Sequence, residues 1–214
     1  MSLTVKCYPY GPFGENTYLI TDDQTGKCAI IDPGCFGDVI VSDIGKCNGL
    51  DYILLTHGHY DHFACCTEYL DYYPDAVFAA PAGDTDLMYK GTDNKWFANG
   101  SSRSVCPEAS LLIRGNDMIR LGETEIKVIE TPGHTSGSIS FYAGNTVFTG
   151  DTLFRLSVGA TNYKTGNWDV MVETIQNKLY TLPDDTIVYS GHGPATTIAY
   201  EKKANPFVRN CTAD

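Results

Sequence analysis

The chain has 214 residues, of which 43% are hydrophobic and 19% are charged, which is the composition of an ordinary globular protein. Its formal net charge of −11 argues against a general nucleic-acid-binding or anionic-membrane-binding role, because both polyanions would repel it. No stretch approaches the roughly 18 consecutive apolar residues that a membrane-spanning helix needs. We therefore expect one globular domain over residues 1–214, without a nucleic-acid or membrane partner.

The first half of the chain alternates apolar runs with turn residues. We predict strands at 3–10, 16–21, 27–31, 52–55 and 76–80, and helices at 38–47, 61–72 and 84–89. The segment 89–109 is polar and rich in Gly and Ser, and we interpret it as a connection.

The second half repeats this outline. It predicts strands at 111–113, 118–121, 125–129, 138–142, 146–148 and 186–189, and helices at 168–179 and 197–204. Strands in two groups, each followed by helices, predict an α/β (α+β) fold in which two sheets pack together with helices outside. No linker between the halves divides the chain into two domains.

The eight cysteines are spread along the chain without a C-x-x-C pair. Met1 is not followed by a charged and then apolar leader, so we expect a cytoplasmic protein whose cysteines remain reduced. We interpret most of them as small buried hydrophobic residues. The sequence leaves the oligomeric state open.

The densest group of potential metal ligands is the segment Thr56-His57-Gly58-His59-Tyr60-Asp61-His62. It follows an apolar run directly, and its glycine indicates a loop rather than a helix. A loop can fan successive side chains around a small volume, whereas a helix needs ligands three or four residues apart. The spacing predicts one metal held by His57 and His59, and a neighbouring site faced by Asp61 and His62. Imidazole and carboxylate ligands suit zinc, iron or manganese.

The other two histidines and a further aspartate occur in similar contexts. His134 and His192 each follow an apolar run and a glycine, and the run 146–149 ends in Gly150-Asp151. For any single histidine, an ordinary hydrogen-bonding role would be the simpler interpretation. All five histidines of the chain lie at predicted strand ends together with two aspartates, and this arrangement indicates a metal site.

These motifs resemble the metallo-β-lactamase superfamily, in which His-x-His-x-Asp-His is followed by an isolated His, an isolated Asp and a final His. The segments 131–135, 148–154 and 189–193 resemble its glyoxalase II-like branch, and the resemblance extends from about Asn16 to the C-terminus. It implies the four-layer αβ/βα sandwich of that superfamily, with two mixed sheets face to face. The metals would lie in a cleft along the sheet edges, between the two halves.

The resemblance also implies the site residues and cofactors. One metal would be bound by His57, His59 and His134, the other by Asp61, His62 and His192, with Asp151 bridging them. The implied cofactors are two divalent metal ions, with zinc favoured and iron or manganese as alternatives. Two such ions lower the pKa of a shared water and produce hydroxide near neutral pH. Asp61 and Asp151 are the carboxylates to which a catalytic role is assigned.

Asp32 is a candidate for support of the metals. It stands in Asp32-Pro33-Gly34, which favours a turn on its own account. In the resembling superfamily an aspartate at this place lies close beneath the metals, so both interpretations stay open.

The resemblance to the glyoxalase II-like branch implies hydrolysis of a small-molecule thioester such as hydroxyacylglutathione. Two alternatives remain: hydrolysis of another ester-like bond (a lactone, a β-lactam or a phosphodiester), or persulfide dioxygenation on a single iron.

Two features of the sequence bear on how the protein would bind glutathione. Glyoxalase II enzymes hold glutathione with an extra C-terminal helical region, whereas this chain ends soon after His192, as shorter bacterial relatives do. Those relatives tend to carry Gly-Arg-Thr-Asp where this chain has Gly159-Ala160-Thr161-Asn162. Arg155 or Lys164 is a candidate replacement cation, although solvent exposure of both is the favoured interpretation.

Overall fold

The computed structural model describes residues 3–11, 13–90 and 106–208. Its strands are β1 (Leu3–Tyr8), β2 (Thr17–Asp22), β3 (Cys28–Ile31), β4 (Leu50–Leu54), β5 (Val77–Pro81), β6 (Leu111–Ile113), β7 (Met118–Leu121), β8 (Thr124–Glu130), β9 (Ile139–Ala143), β10 (Thr146–Gly150), β11 (Leu153–Phe154), β12 (Ser157–Val158), β13 (Ile187–Ser190) and β14 (Thr196–Thr197). Its α-helices are α1 (Asp38–Ile44), α2 (Tyr60–Phe63), α3 (Cys66–Tyr72), α4 (Thr85–Lys90), α5 (Trp168–Asn177) and α6 (Ile198–Ala204). Two 3₁₀ turns, Ala82–Asp84 and Leu179–Thr181, precede α4 and follow α5.

The strands form two mixed sheets of six strands each. The first sheet has the order β1-β2-β3-β4-β5-β6, antiparallel as far as β3 and parallel from β3 to β6. The second has the order β14-β13-β10-β9-β8-β7, in which only β10 and β13 are parallel neighbours. Strands β11 and β12 form a separate hairpin. The predicted pair of mixed sheets is confirmed.

Three apolar clusters separate four layers. Between the two sheets lie residues such as Ile20, Ile31, Leu54, Phe141 and Phe148, all buried. Helices α1 and α3 cover the outer face of the first sheet, and α5 and α6 cover that of the second. Burial of one such side chain contributes about 1.5–3 kcal/mol, so these clusters are the main source of stability. The layer order is helix, sheet, sheet, helix, as the resemblance implied.

Two predictions about these elements were wrong. The helix predicted at 61–72 is two helices, because the backbone N–H of Cys65 donates to the carbonyl of Pro33 (2.9 Å) instead of continuing the helix. Strand β6 was grouped with the second half, but it pairs in parallel with β5 and extends the first sheet. The short strands β11, β12 and β14 were not predicted.

The cysteines differ in part from the expectation. None of the seven in the described ranges forms a disulfide, but only Cys28, Cys66 and Cys106 are buried, and Cys7 is exposed. Cys211 lies outside the described residues, as do residues 91–105 of the predicted connection. Within the described ranges, no helix has the length and apolar character needed to cross a bilayer.

The topology brings the ends of four strands together at one edge of the sandwich. Strands β8, β10 and β13 run in the same direction, because β9 is antiparallel to both β8 and β10, and β13 is parallel to β10. The end of β4 in the first sheet reaches the same place, where the N–H of Ile139 donates to the carbonyl of Thr56 (2.9 Å). The loops after β4, β8, β10 and β13 therefore face one another.

Candidate metal centre

Those four loops carry the seven residues that the sequence identified. His57 and His59 lie in the loop after β4, and α2 begins at Tyr60, so Asp61 and His62 occupy its first turn. The loops after β8, β10 and β13 supply the other three residues. The potential ligand atoms form three overlapping groups, each within 4.8 Å: His57, His59 and His134; His57, His62 and Asp151; Asp61, His62 and His192. The structure thus brings all seven side chains together.

The spacing of these atoms fits the ligands of divalent cations. Ligands at about 2.0–2.1 Å around a tetrahedral zinc ion are about 3.4 Å apart. Asp151 Oδ1 is 3.4 Å from His62 Nε2, and Asp151 Oδ2 is 3.5 Å from His134 Nε2 and 3.6 Å from His192 Nε2. His192 Nε2 is 3.4 Å from Asp61 Oδ2. The Asp151 carboxylate therefore faces His134 of the first group and both His62 and His192 of the third.

Several of these atoms are buried without a hydrogen-bond partner. Among the described residues, Nε2 of His57, Nε2 of His62 and Oδ1 of Asp151 make no hydrogen bond. A buried polar atom without a partner costs about 1–3 kcal/mol. The three atoms lie within 4.8 Å of one another, so cations bound in this centre would satisfy all three. The donor set, imidazole nitrogen and carboxylate oxygen, fits such an ion.

The electrostatics of the centre favour cations. Burial and the neighbouring histidines lower the pKa of His57 well below its usual value and that of His59 to about 3, so both imidazoles are neutral ligands at pH 7. Burial opposes ionisation of Asp151, yet the adjacent His62 and His134 hold its pKa well below the usual range. Burial also opposes charging of His62, but the carboxylates of Asp61, Asp151 and Asp32 raise its pKa well above the usual value.

Three hydrogen bonds orient the imidazoles. His57 Nδ1 is 3.1 Å from Thr56 Oγ1, His62 Nδ1 is 2.9 Å from Asp32 Oδ2, and His134 Nδ1 is 2.7 Å from the carbonyl oxygen of Ala160. A partner on one ring nitrogen fixes the ring and leaves the other nitrogen directed at the metal. The structure therefore places Asp32 behind His62, as the superfamily resemblance indicated.

The loop that carries His192 is held by the start of β2. Asn16 Nδ2 donates to the carbonyls of Ser190 (2.9 Å) and Gly193 (2.8 Å), and the Asn16 N–H donates to the carbonyl of Gly191 (2.7 Å). Tyr18 Oη donates to the same Ser190 carbonyl at 2.6 Å. These contacts join sequence-distant loops, and the sequence analysis did not identify them.

The centre is open on one side. The side chains of His192 and Asp61 are 27% and 20% exposed, whereas His57, His59, His62 and His134 are buried. Tyr163 lies at the rim, with its ring centroid 4.8 Å from that of His59. The ring centroid of Phe154 is 6.0 Å from that of His192.

Tyr163 was not predicted as a site residue. The sequence offered Arg155 and Lys164 as candidate cations near this loop, whereas the relevant signal is the aromatic residue directly after Asn162. Of the two candidate cations, Arg155 lies over the ring of Tyr200, with its guanidinium carbon 5.6 Å from the ring centroid, and Lys164 is exposed.

Comparison with known proteins places this geometry in a family. The hydroxyacylglutathione hydrolase GloC of Haemophilus influenzae (strain ATCC 51907 / DSM 11121 / KW20 / Rd) is 30% identical over 212 residues, which cover 97% of this chain and 99% of the relative. The crystal structure of BLEG-1 B3 metallo-beta-lactamase superposes with a TM-score of 0.86 at 30% identity, covering 97% of this chain and 100% of that chain.

A second solved structure concerns the metals. The crystal structure of TTHA1623 in a di-iron-bound form superposes with a TM-score of 0.78 at 31% identity, covering 94% of this chain and 99% of that chain.

The sequence profile of the metallo-beta-lactamase superfamily matches residues 10–192. The chain therefore belongs to the metallo-beta-lactamase superfamily and is a metal-dependent hydrolase.

Proposed function

We propose that the protein binds two divalent metal ions and hydrolyses a thioester of the hydroxyacylglutathione type. The observation that carries this proposal is the position of the Asp151 carboxylate, whose two oxygens each lie 3.4–3.6 Å from histidine nitrogens of different ligand groups. The similarity to GloC over nearly the whole length of both chains supports the choice of a thioester. The metal ligands in this proposal are His57, His59, Asp61, His62, His134, Asp151 and His192.

The residues of the centre divide the work of hydrolysis. Two divalent ions, when bound, would lower the pKa of a water and polarise the substrate carbonyl. Asp151 holds the two ligand groups at a fixed separation. Asp61 lies on the open side beside His192, where its carboxylate would orient the attacking water. All five histidines belong to this centre, so none is free to activate a serine or cysteine nucleophile.

The open side would receive the acyl group, with Tyr163 and Phe154 as apolar walls on either side. The loop from Gly159 to Asn162 would meet the thiol part of the substrate, because it leads directly into Tyr163, whose ring lies beside His59. Ala160 and Asn162 are exposed and uncharged, so neither offers a cation to the carboxylates of glutathione. We therefore expect a high KM. We also expect a low kcat, because contacts with the glutathione part of the substrate would help to position the transition state.

A β-lactam is the second candidate substrate, and the TM-score of 0.86 with BLEG-1 favours it among the remaining ester-like substrates.

Zinc is the metal we propose, because imidazole and carboxylate ligands suit it. The same ligands suit iron, and the similarity to a di-iron structure makes iron the first alternative.

The proposal is tested by assaying one metal-loaded stock against four substrates in parallel. These are S-lactoylglutathione, a lactone, a chromogenic β-lactam and glutathione persulfide. We expect turnover of the thioester with a high KM, and little or no turnover of the other three substrates. The matched control is Asp151→Ala purified in the same way, which reveals contaminating hydrolases because these would remain active in it.

Three other results would change the assignment. Turnover of the lactone or β-lactam alone would replace the thioester with the second substrate class. Iron-dependent oxygen uptake with the persulfide would favour a dioxygenase. A fully metal-loaded enzyme that hydrolyses no thioester would end the hydroxyacylglutathione assignment.

A further inference from the structure

Asp84 is a buried carboxylate that lies outside the set of proposed ligands. It ends the 3₁₀ turn after β5 and is 1% exposed. It accepts three hydrogen bonds: Oδ2 from the N–H of Gly58 (2.9 Å) and from Thr135 Oγ1 (2.6 Å), and Oδ1 from the N–H of Gly137 (2.8 Å). One side chain is therefore bonded to two different loops of the metal centre.

The positions of these donors are informative. Gly58 stands between His57 and His59, and Thr135 directly follows His134. Asp84 thus joins the loop of the first sheet, which carries two of the three histidines, to the loop of the second sheet, which carries the third. Three hydrogen bonds converge on this one buried carboxyl group, two of them from backbone N–H groups, so they fix the junction firmly.

The backbone beside Asp84 packs closely against the loop that follows His134. A side chain on Gly83 would place its Cβ 2.7 Å from the Cα of Gly137, so the two backbones are in direct contact. A Cβ on Gly137 would overlap Gly83 and Asp84. The turn that carries Asp84 therefore meets the His134 loop backbone to backbone, which holds Asp84 against that loop. The His57–His59 loop packs on the same residue, because a Cβ on Gly58 would lie 3.2 Å from the Cβ of Asp84.

A second buried carboxylate serves the other ligand group. Asp32 accepts from the N–H of Thr56 (2.8 Å) and lies 2.9 Å from Nδ1 of His62. Among the ligands, its direct contact is with His62, whereas the contacts of Asp84 flank His57, His59 and His134. Asp32 therefore contacts the other ligand group directly and reaches His57 only through Thr56, whose hydroxyl donates to Asp32 Oδ2 at 2.7 Å and lies 3.1 Å from His57 Nδ1.

We propose that Asp84 is the positioning residue of the three-histidine site, holding the His57–His59 loop at the correct distance from His134. This proposal rests on the assignment of those three histidines as metal ligands. Asp84 acts through the backbone and not by contact with metal or substrate. Its loss should weaken one metal site more than the other.

The test compares Asp84→Asn with Asp32→Asn, both loaded with zinc. Chelator competition measures the affinity of each site, and anomalous diffraction at the zinc edge shows which site loses occupancy. We expect Asp84→Asn to lose affinity by about 10- to 100-fold at the three-histidine site, the range for groups that orient ligands, with the other site nearly unchanged. Asp32→Asn should show its larger loss at the site of Asp61, His62 and His192, with a smaller loss at the three-histidine site through Thr56 and His57.

Thr135→Val provides a milder second variant, because it leaves the bonds from Asp84 to Gly58 and Gly137 in place. If Asp84→Asn does not fold, a selective loss at the three-histidine site in Thr135→Val supports the proposal and unchanged site affinities overturn it. Equal losses at both sites in a folded Asp84→Asn, or no loss at either, would also overturn it. Wild-type protein that binds no zinc would instead contradict the proposed function.

Discussion

Replacing Asp151 with alanine is expected to lower kcat/KM by more than about 100-fold, which exceeds the usual effect of groups that only orient a ligand. Its two oxygens face three histidine nitrogens at 3.4–3.6 Å, so alanine removes a ligand from both groups at once. Two cations without the shared carboxylate would also repel each other more strongly. Steady-state kinetics on the best thioester, together with elemental analysis, measures both losses.

The matched control is Asp32→Ala. Asp32 contacts His62 and Thr56 but lies behind the ligands, so its loss should reduce activity by about 10- to 100-fold and leave more metal bound. Both carboxylates are accessible to solvent only slightly, and both substitutions remove the same atoms. Equal effects in the two variants, or a larger effect at Asp32, would contradict the bridging assignment.

Replacing Gly191 with alanine is expected to remove most of the activity without removing any ligand. A Cβ at this position would overlap Asp151 Oδ1 and lie 2.7 Å from His62 Cε1. The methyl group would therefore displace the Asp151 carboxylate and the His62 imidazole from their positions. A displacement of about 1 Å at the reacting groups can cost about 100-fold in rate. We expect a loss of that size in kcat, together with lower metal content, measured on the purified variant.

Gly193→Ala in the same loop serves as the control. Gly193 has φ of +75°, which alanine adopts only with strain, but its Cβ would meet no atom within 4 Å. The melting temperature should fall in this variant while the metal content is retained. If both variants lose metal to the same extent, backbone strain in the loop explains the result and the contact with Asp151 does not.

The convergence of these seven residues could be predicted from the sequence because its signals are local. All seven lie in segments that directly follow an apolar run, and five of them, His57, His59, His134, Asp151 and His192, are next to a glycine. The break between α2 and α3 could not be read in this way. It depends on a hydrogen bond from Cys65 to Pro33, a residue 32 positions earlier, and the helical spacing of apolar residues continues across it.

The residues that support the site were harder to predict because they act across the sandwich. Asn16 holds the Ser190–Gly193 loop from 174 residues away along the chain. Asp84 gave a usable signal, since it follows the run 76–80 and a glycine as the ligands do, but the helix that starts beside it offered a simpler interpretation. Tyr163 lies three residues after Ala160, whose carbonyl is bonded to His134, and this contact between distant parts of the chain is not visible in the sequence.

Binding of two metal ions in one centre is tested by elemental analysis of protein saturated with zinc, combined with anomalous diffraction from its crystals. We expect two ions per chain, one among His57, His59 and His134 and one among Asp61, His62 and His192. A single ion, with the second group still without metal in excess zinc or manganese, would contradict it.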